Sequence, residues 1–235
     1  LARPSTPLIS RSAAAQAALD VIDEVGLARF SLNHVARKLG VSSPSLYHYF
    51  QDKDELLEEV VRLLFLGLPE LKDGLALPEL KSSALPFEER MVNLCVSARH
   101  AILKHPNAAV LVLQYFPRRL LLQAYEDAAD ANPYPPQFHM VILEGTDKLM
   151  FGSALFGAAA RARGIDTMPV FKPDGYPAVA RALQASPFSD DEKLLEETLR
   201  MFFLGAAERY RRGTLGQPVN DTEHLFDTPP PLPKT

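Results

Sequence analysis

Ser42, Ser43, Pro44, Ser45, Tyr47, His48 and Tyr49 crowd into one short stretch, with Lys53 closing it and Arg37 and Lys38 just ahead. Hydroxyls and an imidazole bond base edges or phosphate oxygens, an aromatic face packs on a sugar or a thymine methyl, and lysine neutralises phosphate. These are groups for gripping a duplex. The chain shows no glycine loop for a nucleotide phosphate, no nucleophile elbow and no ligand spacing for a metal, so neither an enzyme nor a cofactor is expected. His100, His105 and His139 could invite a metal, as could Glu126, Asp127 and Asp130. However, His100 and His105 are five apart and do not share a helix face, and the acidic trio reads as a solvated surface.

Such a set of contacts works only if a short helix is held outward by a second one. Val35, Leu39, Val41, Leu46 and Phe50 supply an apolar clamp, Ala36 a close contact and Gly40 a turn that tolerates positive φ. The bare spacing fits a helix-turn-helix and an ordinary helical hairpin equally; the exposed residues favour the former. Ser31 caps a helix that stops at Gly40, and Ser42 or Ser43 caps a reading helix of about two turns with Pro44 in its first turn. Ahead of them Ala14, Ala17, Ala18, Val21, Ile22 and Val25 step by three and four to Gly26, and from Lys53 onward Leu56, Leu57, Val60, Val61 and Leu64 form another face.

The stretch from Phe30 to Leu57 resembles the DNA-binding segment of the TetR, or tetracycline-repressor-like, family. The resemblance lies in Gly40-Val41-x-x-Pro44-x-Leu46-Tyr47, in Leu46-Tyr47-x-x-Phe50 and in Lys53-x-x-Leu56-Leu57, and it spans roughly residues 8 to 65. It implies that Ser43, Pro44, Ser45, Tyr47, His48 and Tyr49 face the major groove and that Lys53 grips phosphate, with Ser42 a further DNA-binding candidate, Tyr47 alternatively serving phosphate and Tyr49 alternatively half in the core. Asn33 stands where relatives often carry a base-reading arginine, and Arg3 and Arg11 are either further phosphate contacts or solvated terminal charges.

The charge division agrees with a reading head on a larger body. Residues 1 to 50 carry a net +2, leaving −6 for the rest of a chain whose total is −4. Hydrophobic residues make up 47% and charged ones 23%, enough for a sizeable core in 235 residues. Cys95 is the single cysteine and no leader pattern opens the chain, so a cytoplasmic address is expected. The longest apolar run, Met150 to Ala160, is short of the roughly 18 residues a membrane span needs.

Prolines and glycines between Gly67 and Pro86 mark a domain boundary, after which the pattern predicts helices over Phe87 to Lys104, Asn107 to Ala131, Pro136 to Ala162 and Asp190 to Arg212. A short helix is expected from Tyr176. No strand alternation is evident, so the chain reads as all-α. The expected division is a helix-turn-helix domain over 1–52, a connecting helix over 53–68, a helical effector-binding and dimerisation domain over 69–215, and a disordered proline-rich tail over 216–235.

The family resemblance further implies a homodimer on a pseudo-palindromic operator, released by a small-molecule effector. The dimer surface corresponds to the last two long helices, with Gly145, Gly152, Ser153, Ala154, Gly157 and Ala158 on one and Leu195, Leu199, Phe202, Phe203 and Ala206 on the other. The alternative is that both stripes are core within one chain. Candidate pocket residues are Leu94, Ala98, Leu111, Leu113 and Gln114, together with Phe116, Phe138, Met150 and Phe151, whose character suits an apolar or aromatic effector. Leu94 and Ala98 replace an amide and an aromatic group, and Val110 to Leu113 lacks a metal-linked histidine, which argues against tetracycline with magnesium.

Overall fold

The computed structural model describes residues 9–66, 84–115, 122–165, 171–188 and 190–219, and among these every regular element is helical. The expected boundary segment within 67–83, Phe116, Arg3 and most of the expected tail lie outside the described residues.

The head is built on α1 (Arg11–Val25), α2 (Leu32–Leu39) and α3 (Ser43–Leu46). Ser10 opens α1 by accepting the Ala13 amide at 3.0 Å. The three- and four-residue steps of Ala14, Ala17, Ala18, Val21 and Ile22 turn a buried face towards α2 and α4 (Lys53–Leu66). A reciprocal cap starts α4: Asp52 accepts the Glu55 amide at 2.8 Å while Glu55 accepts the Gln51 amide at 2.5 Å.

The body joins α5 (Phe87–Leu103), α6 (Leu111–Gln114), α7 (Leu122–Asp130), α8 (Pro136–Arg163), α9 (Pro177–Ala185) and α10 (Asp191–Arg212). Here α5 packs most extensively on α8, and α10 lies across both. Small residues make this approach possible. A Cβ on Gly145 would stand 2.5 Å from the Phe202 ring, and one on Gly157 would stand 3.3 Å from Leu103. Helix α4 touches α1 in the head and both α5 and α6 in the body. No helix among the described residues is long and apolar enough to cross a membrane.

The helix expected over Asn107 to Ala131 is not continuous. The amides of Ala108, Leu111, Val112 and Leu113 bond three residues back, to His105, Ala108, Ala109 and Val110. Tight turns therefore precede a single turn of α6, and α7 resumes at Leu122.

Candidate nucleic-acid interface

The turn between α2 and α3 is set by Gly40, which ends α2 in the left-handed region at φ 68°. The Val41 amide then reaches the Ala36 carbonyl at 3.0 Å, satisfying an end-of-helix acceptor. Leu46 and Phe50 are buried and pin α3 to the head, with the Phe50 amide on the Leu46 carbonyl at 3.1 Å. The expected two-turn helix is shorter, spanning Ser43–Leu46. Beyond it the Tyr47 and Tyr49 amides bond three residues back, to Pro44 at 3.2 Å and Leu46 at 2.9 Å, which winds the chain more tightly. Ser42 stands at the N-cap position, but its hydroxyl bonds Ser45 Oγ at 2.8 Å instead of a helix amide.

Most of the predicted contact residues share this outward side. Ser42, Pro44, Tyr47, His48, Asn33 and Lys53 are exposed, with Tyr47 57% accessible, while Ser43 and Ser45 are half-buried. Ser43 Oγ donates to Asn33 Oδ1 at 2.5 Å, joining α2 and α3 into one polar patch. Lys53 Nζ lies 5.2 Å from the centre of the Phe30 ring, which steadies the lysine beside that patch. Tyr49 is half-buried against the core, so it props this segment more than it projects from it.

Arg11 serves as a staple. Its guanidinium lies 2.8 Å from Glu55 and 3.5 Å from Glu59, stacks 4.5 Å over the Phe50 ring and donates to the Tyr49 carbonyl. Lys38 likewise turns to Glu24 at 2.6 Å, and that hydrogen bond holds its ammonium above the ordinary lysine range. Residues 25–51 contain no Asp or Glu, so no carboxylate of its own segment opposes the patch.

In the body, an apolar cavity lies between α4, α5, α7 and α8, with about 590 Å³ unfilled by atoms and part of that open to solvent. Leu94, Ala98, Met150 and Phe151 line it as expected from the sequence, joined by Phe65, Met91, Cys95, Tyr125, Thr146 and Asp147. Met91, Leu94, Cys95 and Ala98 follow one helix face, a periodicity that could have found the two missed. The Tyr125 to Asp147 hydrogen bond, at 2.7 Å, joins α7 to α8 and carries no local sequence signal.

Other predicted pocket residues fall elsewhere. Leu111 is fully buried in the core. Leu113, 64% exposed, borders an adjoining outer groove because the single turn of α6 points it away from the cavity. Gln114 is exposed, and Phe138 is buried against the Tyr134 and Tyr210 rings at 6.1 and 5.9 Å. The three histidines each hold another partner. His100 pairs with Glu192, His105 with Asp23 at 2.5 Å, and His139 Nε2 donates to the Tyr134 carbonyl at 2.7 Å.

The two stripes read as a dimer surface divide differently. Leu195, Leu199 and Phe203 are buried inside the chain, and Phe202 closes on Gly145. The outward faces instead carry Leu194, Met201 and Leu204 on α10, with Met140 and Phe156 on α8. Phe156 is 78% and Leu204 69% exposed.

The sequence profile of bacterial regulatory proteins of the tetR family matches residues 15–60. Over 60 residues the chain is 43% identical to the HTH-type transcriptional regulator BetI of Ectopseudomonas mendocina, covering 26% of this chain and 31% of that one. The match therefore spans about a third of the length of these curated relatives. The likeness of fold reaches further. A possible TetR family transcriptional regulator from Streptomyces coelicolor superposes with a TM-score of 0.67 at 20% identity, over 85% of this chain and 99% of that one. A variant of TetR from Acinetobacter baumannii in complex with minocycline gives 0.66 at 18% identity, over 86% and 95%.

Proposed function

We propose that the chain is a DNA-binding transcriptional regulator of the TetR type, and more finely a repressor that a small apolar or aromatic effector releases from operator DNA; the match of residues 15–60 to the tetR family profile and the likeness of fold support this reading. The span of α4 carries this reading. Lys53 in its first turn stands beside the polar patch, and Phe65 in its last turn forms part of the cavity wall, edge-on to Phe151 at 6.2 Å. A ligand that displaces Phe65 therefore moves a helix whose far end carries the reading head.

Asn33, Ser42, Ser43, Pro44, Ser45 and His48 are assigned to the groove, Tyr47 and Lys53 to phosphate, and Tyr49 to holding the segment in place. One head makes few base contacts, so two copies joined through the outward apolar faces of α8 and α10 would read half-sites about 34–36 Å apart, which implies a pseudo-palindromic operator. Residues 1–52 then form the reading domain, 53–68 the connecting helix and 69–215 the effector and dimer domain.

Recovery of genomic fragments bound by the full chain, followed by titration of the best duplex at several salt concentrations, tests the reading. Affinity should fall steeply as salt rises, because phosphate contacts release counterions. Binding that ignores salt, or no selected duplex, would sink the DNA reading; an effector that occupies the cavity and leaves duplex affinity unchanged would sink the release mechanism.

A further inference from the structure

In the first turn of α2 one polar side chain stands outward. Asn33 is exposed, while Leu32 and His34 are half-buried and His34 Nδ1 lies 3.1 Å from Ser31 Oγ. Across the turn, Ser43 opens α3 with a half-buried side chain. Its hydroxyl donates to Asn33 Oδ1 at 2.5 Å, and Asn33 Nδ2 has no partner among the described residues. Ser42 and Ser45 do not compete for this amide, since their hydroxyls bond each other at 2.8 Å. The two ends of the Asn33 side chain therefore differ: the carbonyl end is tied to α3, and the nitrogen keeps both of its N–H groups to give.

That asymmetry bears on which base the residue can read. An asparagine recognises adenine by offering both ends of its amide at once, accepting from N6 and donating to N7. Here Oδ1 would have to serve adenine and Ser43 together, or release Ser43 and strand a half-buried hydroxyl proton without an acceptor. Guanine asks for donors only. Its major-groove edge sets N7 and O6 side by side, two acceptors for the two N–H groups of Asn33, whereas thymine offers O4 beside a methyl and cytosine offers a donor. The negative guanine edge also meets no carboxylate from residues 25–51.

We propose that Asn33 reads guanine in preference to adenine in the major groove, with Ser43 as the positioning residue that holds the carbonyl end of its amide; this rests on the reading of α2 and α3 as the DNA interface.

Selection of bound duplexes from a randomised library by the full chain, repeated with Asn33→Ala and Ser43→Ala, finds the position concerned. One position in each half-site should take guanine with the unaltered chain and lose its discrimination with Asn33→Ala. In anisotropy titrations the unaltered chain should bind guanine there at least about fivefold more tightly than adenine. Replacing that guanine by 7-deazaguanine, which lacks the N7 acceptor, should weaken the unaltered chain and leave Asn33→Ala unaffected. Ser43→Ala should narrow the gap by raising the affinity for adenine, because the carbonyl end is released, and Ser43→Thr, which keeps the hydroxyl, should preserve it. If Ser43→Ala melts early, the modified base still decides the guanine contact on the unaltered chain. Adenine or a pyrimidine at the Asn33-dependent position, no position altered by Asn33→Ala, indifference to 7-deazaguanine, or a preference that a folded Ser43→Ala leaves intact overturns the assignment. A duplex that is selected and bound in a salt-dependent way without an Asn33-dependent guanine defeats only the base assignment; failure to select any duplex defeats the regulator reading and the assignment with it.

Discussion

His105 Nδ1 stands 2.5 Å from Asp23 Oδ2, and the Asn107 side-chain amide donates to the Asp23 carbonyl at 2.9 Å, so one residue near the end of α1 ties the head to the segment after α5. The Tyr115 hydroxyl donates to Asp54, in the first turn of α4, at 2.7 Å. Among the described residues, Asp23 thus ties the head to the body directly, and Asp54 ties the start of α4 to it. Any swing of the head works against these ties.

The Asp23 and His105 side chains should couple energetically. Both are partly exposed, at 32% and 29%, so the coupling energy in a double-mutant cycle of Asp23→Ala and His105→Ala is expected near the surface-pair range, about 0.5–1 kcal/mol. Urea unfolding of the four proteins measures it. Strict additivity would mean that the contact holds nothing.

Tyr115 offers a titration. The Asp54 hydrogen bond, with burial second, pushes its phenol from 10.0 up to about 12, and burial followed by the Glu88 hydrogen bond does the same for Tyr134. A raised folded value means that the stabilisation is fully present below pH 10 and is lost as pH rises through about 12. Phenolate absorbance should show a late phase that loses amplitude in Tyr115→Phe; an unchanged profile counts against the bond.

The head was legible because its determinants are local. Gly40, the steps of α1 and the polar run from Ser42 to Tyr49 all act within a few residues of themselves. The interior of the body was not. Asp147 meets Tyr125 from another helix, and Gly145 reads as a free small residue until Phe202 is seen closing on it. Apolar periodicity also leaves the covering partner open. It marked Leu195, Leu199 and Phe203 correctly as a stripe, but the partner is α8 and α5 of the same chain.

Gly40→Ala should destabilise the head for a conformational reason alone. A Cβ there meets nothing within 4 Å, while φ 68° strains any L side chain by about 1–2 kcal/mol. Gly40→Asn should lose less, since asparagine tolerates this region better. Thermal melting ranks the three; equal stability of Ala and Asn would contradict the reasoning.

Lys53 and His48 should fail differently on DNA. Lys53→Ala removes a phosphate charge, so it should weaken all duplexes alike and reduce the slope of log affinity against log salt by about 1. On the proposed groove assignment, His48→Ala should leave that slope nearly intact and relax sequence preference, because an imidazole in the groove would bond base edges. Anisotropy titrations on the selected duplex and on a scrambled one distinguish the two. A selective loss for Lys53→Ala would reassign that residue to base reading.

Phe156 and Leu204 test the assembly. Both point outward, 78% and 69% exposed, and neither supports the interior, so Phe156→Asp combined with Leu204→Asp should leave the melting of a single chain almost unaffected. Placed in a two-fold interface, however, each carboxylate meets the apolar face of a second copy without a partner. Sedimentation should then shift from dimer to monomer at micromolar concentration. Operator affinity should fall at least about tenfold, since two heads on one duplex reinforce each other and a lone head loses that advantage. A doubly substituted chain that still sediments as a dimer would move the interface off these faces and leave their exposed apolar side chains to another partner.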